Sequence, residues 1–176
     1  MKNIRNEFSH YCPDDIELYF AVEACLLNHK GELAGQNDAL LDEISPDYIL
    51  AGAHHIHLPW VEADFKGNWN KFLCNQHLAL LNACQNPYCT AIAHPWVITA
   101  NVLNSFYLPT IEDYSVIPEE MVAELGIASA ETKTGLEVNS DALKRSNYSH
   151  LSDKNWLHLL ETYKNFLQIL IENNAL

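Results

Sequence analysis

The chain has 176 residues, 48% of them apolar and 19% charged, which fits one globular domain with a substantial core and excludes a disordered chain. Its 23 acidic against 10 basic residues give a net charge of -13, a field that repels a phosphate backbone and argues against nucleic-acid partners. No apolar run approaches the roughly 18 residues of a membrane span, and "MKNIRNEFSH" lacks an apolar signal core, so a cytoplasmic protein without a membrane partner is expected.

The first expected strand is "IELYFAVEACLL", residues 16–27, rich in residues that favour strands. A short helix, "NDALLDEI", follows with Asn37 or Asp38 as its cap. The second strand, "DYILAGA", leads to a helix over 68–85, where Trp69, Phe72, Leu73, Leu80, Leu81 and Cys84 recur at helical spacing. Asn86-Pro87 introduces the third strand, "CTAIA". Beyond an irregular stretch, "PEEMVAEL" predicts a short helix with Pro118 in its first turn, and "TGLEVN" a fourth strand. In the last helix Trp156, Leu157, Leu160, Tyr163, Phe166, Leu167 and Leu170 form one stripe, capped by Ser152 and stopped at Asn173 or Asn174.

Apolar strands alternating with helices predict an α/β class with a parallel sheet, wound by right-handed crossovers into a barrel or an open sheet. The strands end on Glu23, His54, His94 and the pair Glu137/Asn139. At the mouth of a parallel barrel such ends converge. A carboxylate with imidazoles suits zinc, manganese or iron, leaving positions open for water or a substrate oxygen. Glu23 is expected to be functional, because a lone glutamate in an apolar strand is rare unless paired. Pro95 is expected to hold His94 extended at a strand exit.

His55 and His57 are expected on the surface or supporting the metal ligands, and His77 and His158 on helix faces; His10, His29 and His150 have no supporting context. Glycine-rich phosphate loops, G-x-S-x-G and H-E-x-x-H are absent. The five cysteines (Cys12, Cys25, Cys74, Cys84, Cys89) form no C-x-x-C pair and read as reduced, partly buried thiols. A Cys25–His54 thiol dyad is disfavoured, since nothing places the two side chains together.

The motifs "YFAVEA", "DYILAGAHHIH", "AIAHPW" and "GLEVN", in this order, resemble the central and later part of the polymerase and histidinol phosphatase (PHP) superfamily. The resemblance covers residue 16 to the C-terminus, and rests on order and spacing, since each motif is short. It implies a PHP-type, TIM-like distorted β/α barrel with a divalent metal held by Glu23, His54 and His94. Glu137 and Asn139 would fall on a supporting strand near the site, with His55 and His57 as further candidates beside the substrate. The implied activity is hydrolysis of a small phosphorylated substrate by a metal-bound hydroxide.

The family's opening H-x-H and closing S-D-A-H motifs find no counterpart; in "NSDAL" Leu143 stands where a histidine would be. One PHP-like domain over residues 1–176, incomplete at both ends and retaining one metal site, is therefore expected. Such a partial barrel would self-associate or take a partner chain that completes it. The alternatives are an inactive PHP remnant serving as a binding or assembly module, and a metal hydrolase of the amidohydrolase type.

Overall fold

Short runs of apolar residues around Glu23, Leu50 and Ile92 pair side by side in the protein. A computed structural model describes residues 16–17, 19–37, 39–53, 67–96, 108, 113–138 and 144–173. Among the described residues four strands, β1 (Ala21–Cys25), β2 (Tyr48–Gly52), β3 (Ala91–Ala93) and β4 (Gly135–Leu136), alternate with four α-helices. The helices are α1 (Leu40–Ile44), α2 (Trp69–Cys84), α3 (Glu119–Thr132) and α4 (Asp153–Asn173). All three strand pairings are parallel, in the order β1-β2-β3-β4, so the expected α/β class with a parallel sheet holds.

The register fixes two unlike faces. Ala24, Ala51, Ile92 and Leu136 lie across from one another, and with Ile49 they pack against the helices in the main core. Glu23, Leu50, Ala91 and Gly135 share the opposite face. There Ala21, Glu23, Tyr48 and Gly135 are exposed, while Leu50 and Ala91 are half-buried. A parallel sheet normally has both faces covered, and among the described residues no element packs over this one.

Several elements differ from expectation. β1 is five residues; Leu26 still donates its N–H to Gly52 O at 2.9 Å, but it also bridges Leu33 across a tight turn. Asn28 shapes that turn by accepting from Lys30 N–H, and Gly31 closes it at φ 77°. α1 begins after Ala39, which has no side-chain cap and φ 60°; Asn37 does not cap it, and Asp38 lies outside the described residues. α3 runs on past the expected "PEEMVAEL" to Thr132, with Pro118 preceding its first turn.

α3 continues across Gly126 because the glycine serves a helix crossing. A Cβ there would stand 2.9 Å from both Leu170 O and Asn173 Cβ, so only a bare Cα lets α3 and α4 approach so closely. On α4 the buried stripe is Leu159, Tyr163, Phe166 and Leu170, spaced for one helical face. Leu157, expected within that stripe, is instead 62% exposed. Ser152 accepts from Asn155 N–H at 3.2 Å, as its expected capping role requires.

α2 buries Phe72, Leu73, Leu80 and Cys84 as its periodicity implies, but also Gln76 and His77. His77 was expected merely on a helix face. It is buried because Glu124 of α3 meets its Nε2 at 2.7 Å, a pairing invisible to local patterning. His158 does sit on an exposed helix face, 3.4 Å from Asp113. Among the described residues no helix is long and apolar enough to cross a membrane.

Candidate functional site at the carboxyl ends of the strands

Parallel strands present their C-terminal ends on one rim, and here that rim gathers Glu23, His94 and Glu137. Glu23 lies within β1 on the open face of the sheet. Glu137 follows β4 directly, its N–H donating to Ile92 O at 2.9 Å, and alternation from Gly135 places it on the same face. His94 follows β3. By the same alternation it would join Ile92 on the helix-covered face, away from both carboxylates.

The backbone prevents that. His94 has φ 34°, not the extended conformation expected before a proline, and Trp96 has φ 52°. Two left-handed residues around Pro95 turn the chain, and the His94 ring meets Glu23 across β2. Nε2 of His94 stands 3.1 Å from Glu23 Oε1, and the His94 backbone N–H donates to Glu137 Oε2 at 2.8 Å. Each left-handed non-glycine residue costs about 1–3 kcal/mol and persists only where its surroundings hold it.

Trp96, two residues on, is packed into the core. Its indole is 2% exposed, stacked on the His77 ring at 6.0 Å and meeting Phe166 edge-on at 5.7 Å. Trp96 and His77 were missed as contributors to the site. "AHPW" contained the tryptophan, but its burial depends on α2 and α4, which no spacing within the motif reveals.

The Glu23–His94 pair can act in two ways. With a proton on Nε2 the imidazole donates to the carboxylate, which as an anion only accepts. The pair is partly open, with side-chain exposures of 45% for Glu23 and 17% for His94, so solvent screens the attraction. Alternatively a cation takes the proton's place. Two donors on a tetrahedral metal at bonds of roughly 2.1 Å lie roughly 3.4 Å apart, close to the separation here, so this pair could supply two of the three or four donors a divalent ion needs.

The other expected ligand, His54, lies outside the described residues, as do His55, His57 and Asn139. β2, which ends at Gly52, runs between β1 and β3. Among the described residues no group of three histidine, cysteine, aspartate or glutamate side chains is spaced to hold a metal.

Cys25 shares the open face with Glu23, but burial and then the Glu23 carboxylate push its thiol up. A thiol shifted that way carries less thiolate at neutral pH; His54, the other member of the disfavoured dyad, lies outside the described residues. Deeper in the core, burial pushes the Cys84 thiol up to about 11 and the Cys89 thiol up to about 12, from an ordinary 9.0. The unfolded chain releases these protons first, so stability falls as pH rises from about 9 toward 11–12 and is unaffected below. Cys74, Cys84 and Cys89 are free thiols, and of these Cys74 is exposed while the other two are buried. Alkylation at pH 8 followed by peptide mass spectrometry is expected to mark Cys74 first, and Cys84 and Cys89 only after unfolding. Equal native labelling of Cys74 and Cys89 would contradict this burial.

No protein-family model matches the chain, and neither does any curated protein.

Proposed function

We propose that the protein is a PHP-like metal-dependent phosphoesterase, acting on a small phosphorylated substrate at the rim formed by Glu23, His94 and Glu137. The observation that carries this reading is the 3.1 Å approach of Glu23 Oε1 and His94 Nε2 from strands separated by β2. The strand order also supports it. Each strand pairs with the next in sequence and in parallel, which is how a β/α barrel grows, whereas an open doubly wound sheet reverses direction partway. The free thiols of Cys74, Cys84 and Cys89 accord with a reducing, cytoplasmic setting.

In this reading Glu23 and His94 hold a zinc, manganese or iron ion, with His54 as the third ligand that the PHP resemblance supplies. A divalent ion there would lower the pKa of water toward neutrality and polarise a phosphoryl oxygen. Glu23 contributes the negative charge that offsets the cation. Glu137, holding the His94 amide, keeps the ring directed at the rim. The chain's overall negative charge does not oppose a small phosphate, because a bound cation reverses the field locally.

The open face of the sheet favours a second reading, an inactive binding or assembly module that self-associates or takes a partner chain to cover Ala21, Tyr48 and Gly135. One experiment separates the two. Protein purified without chelator is analysed for bound metal, then assayed on generic phosphoesters and on amides with zinc or manganese added. Metal retention with phosphoester turnover supports the first reading, and amide turnover the amidohydrolase alternative. No metal and no turnover, together with a self-associated species in light scattering, supports the module.

A further inference from the structure

We propose that Trp96 is the positioning residue for the Glu23–His94 pair, its buried indole holding the turn that swings the His94 ring onto the open face of the sheet. The proposal rests on the reading of that pair as the working site, and adds the device that assembles it.

Four observations converge on Trp96. His94 is on the wrong face by strand alternation and reaches Glu23 only because the backbone is left-handed at 94 and again at 96. Neither residue is a glycine, so the conformation must be imposed by contacts elsewhere. Glu137 fixes the near side of the turn through the His94 N–H. The far side is fixed by the indole, which lies between His77 of α2 and Phe166 of α4.

The indole is retained there at a cost. Its Nε1 is buried without a hydrogen-bond partner among the described residues, a penalty that phenylalanine or leucine would avoid. The large flat ring is what the position uses, because it spans from one helix to the other. Pro95 stiffens the link between ring and histidine by fixing its own φ. His77 is in turn held by Glu124, so the wall behind the indole does not yield easily.

The test uses the metal-free full chain, read by NMR. Two signals report His94: exchange of its backbone amide, which donates to Glu137, and the nitrogen shift of Nε2, which faces Glu23. Trp96→Ala is expected to speed His94 amide exchange by about 10-fold or more relative to the Leu80 amide of α2, and to move the Nε2 signal. Trp96→Phe is expected to restore both, with exchange within about 3-fold of the parent. Leu159→Ala, a core change on α4 away from the turn, is expected to leave the His94 signals alone.

Unchanged His94 signals in a folded Trp96→Ala protein would overturn the proposal, as would a His94 response to Leu159→Ala of equal size. Should Trp96→Ala fail to fold, Phe166→Leu loosens one wall of the indole and is expected to raise His94 exchange by about 2- to 5-fold; no change there overturns the proposal equally. Zinc titration completes the set, with Trp96→Ala expected to weaken binding by about 10- to 100-fold, as loss of a supporting contact does. Failure of the metal reading shows in the unsubstituted protein, which then binds no zinc, while failure of the Trp96 proposal shows in the metal-free spectra.

Discussion

Gly31→Ala is expected to lower stability by about 3 kcal/mol, a large part of the 5–15 kcal/mol that holds a typical domain together. A Cβ at this position would stand 2.5 Å from Asn82 C, 2.6 Å from Ala83 N and 2.6 Å from Asn82 O. These are backbone atoms of α2, which cannot rotate aside. Left-handed strain at φ 77° adds roughly 1–2 kcal/mol to an overpacking cost of similar size.

The turn that Gly31 closes is also latched by side chains. Asn82 Nδ2 donates to His29 O, and Asn86 Nδ2 donates to both Gly31 O and Gln36 Oε1, all within 2.8 Å. Pushing the turn off α2 breaks these bonds together. Urea unfolding monitored by circular dichroism reads the effect as a lower midpoint with unchanged slope. A loss under about 1 kcal/mol would mean that α2 shifts freely, contrary to the close packing of its buried face.

Glu23→Ala and His94→Ala are each expected to weaken zinc or manganese binding by about 100-fold or more, equivalent to roughly 2.7 kcal/mol. Each removes one donor of a pair that is already in contact, so the double substitution should cost far less than the sum of the two. Competition against a coloured chelator measures all three. Affinity within about 3-fold of the parent in either single variant would remove the pair from the metal site. Folded stability should change little, because the pair is partly exposed and surface ion pairs contribute about 0–1 kcal/mol.

The legible parts of this protein were those set by local patterning. The centres of β1, β2 and β3 follow from apolar runs, and the start of α4 from Ser152. That Glu23, His94 and Glu137 share one rim was also legible, since strand ends in a parallel sheet meet by topology, but the contact of His94 with Glu23 was not, since alternation puts the two on opposite faces. What the sequence withheld depends on contacts between distant segments. Nothing near His77 announces Glu124, and nothing near His94 announces that Trp96 will be wedged between α2 and α4 and reverse the local backbone. Pro95 argued for an extended His94, and tertiary burial of the next residue prevailed. The expected helix "PEEMVAEL" was too short, because the crossing with α4 places Gly126 inside a continuing helix.

The order of the strands bears on how the chain is made. Among the described residues each strand pairs with the one synthesised just before it, so no pairing has to wait for a later strand. Vectorial growth of this kind suits emergence from a ribosome, since the N-terminal part can order while the rest is still being added. Glu23 and His94 stand 71 residues apart, so the rim joins an early-made segment to a later one.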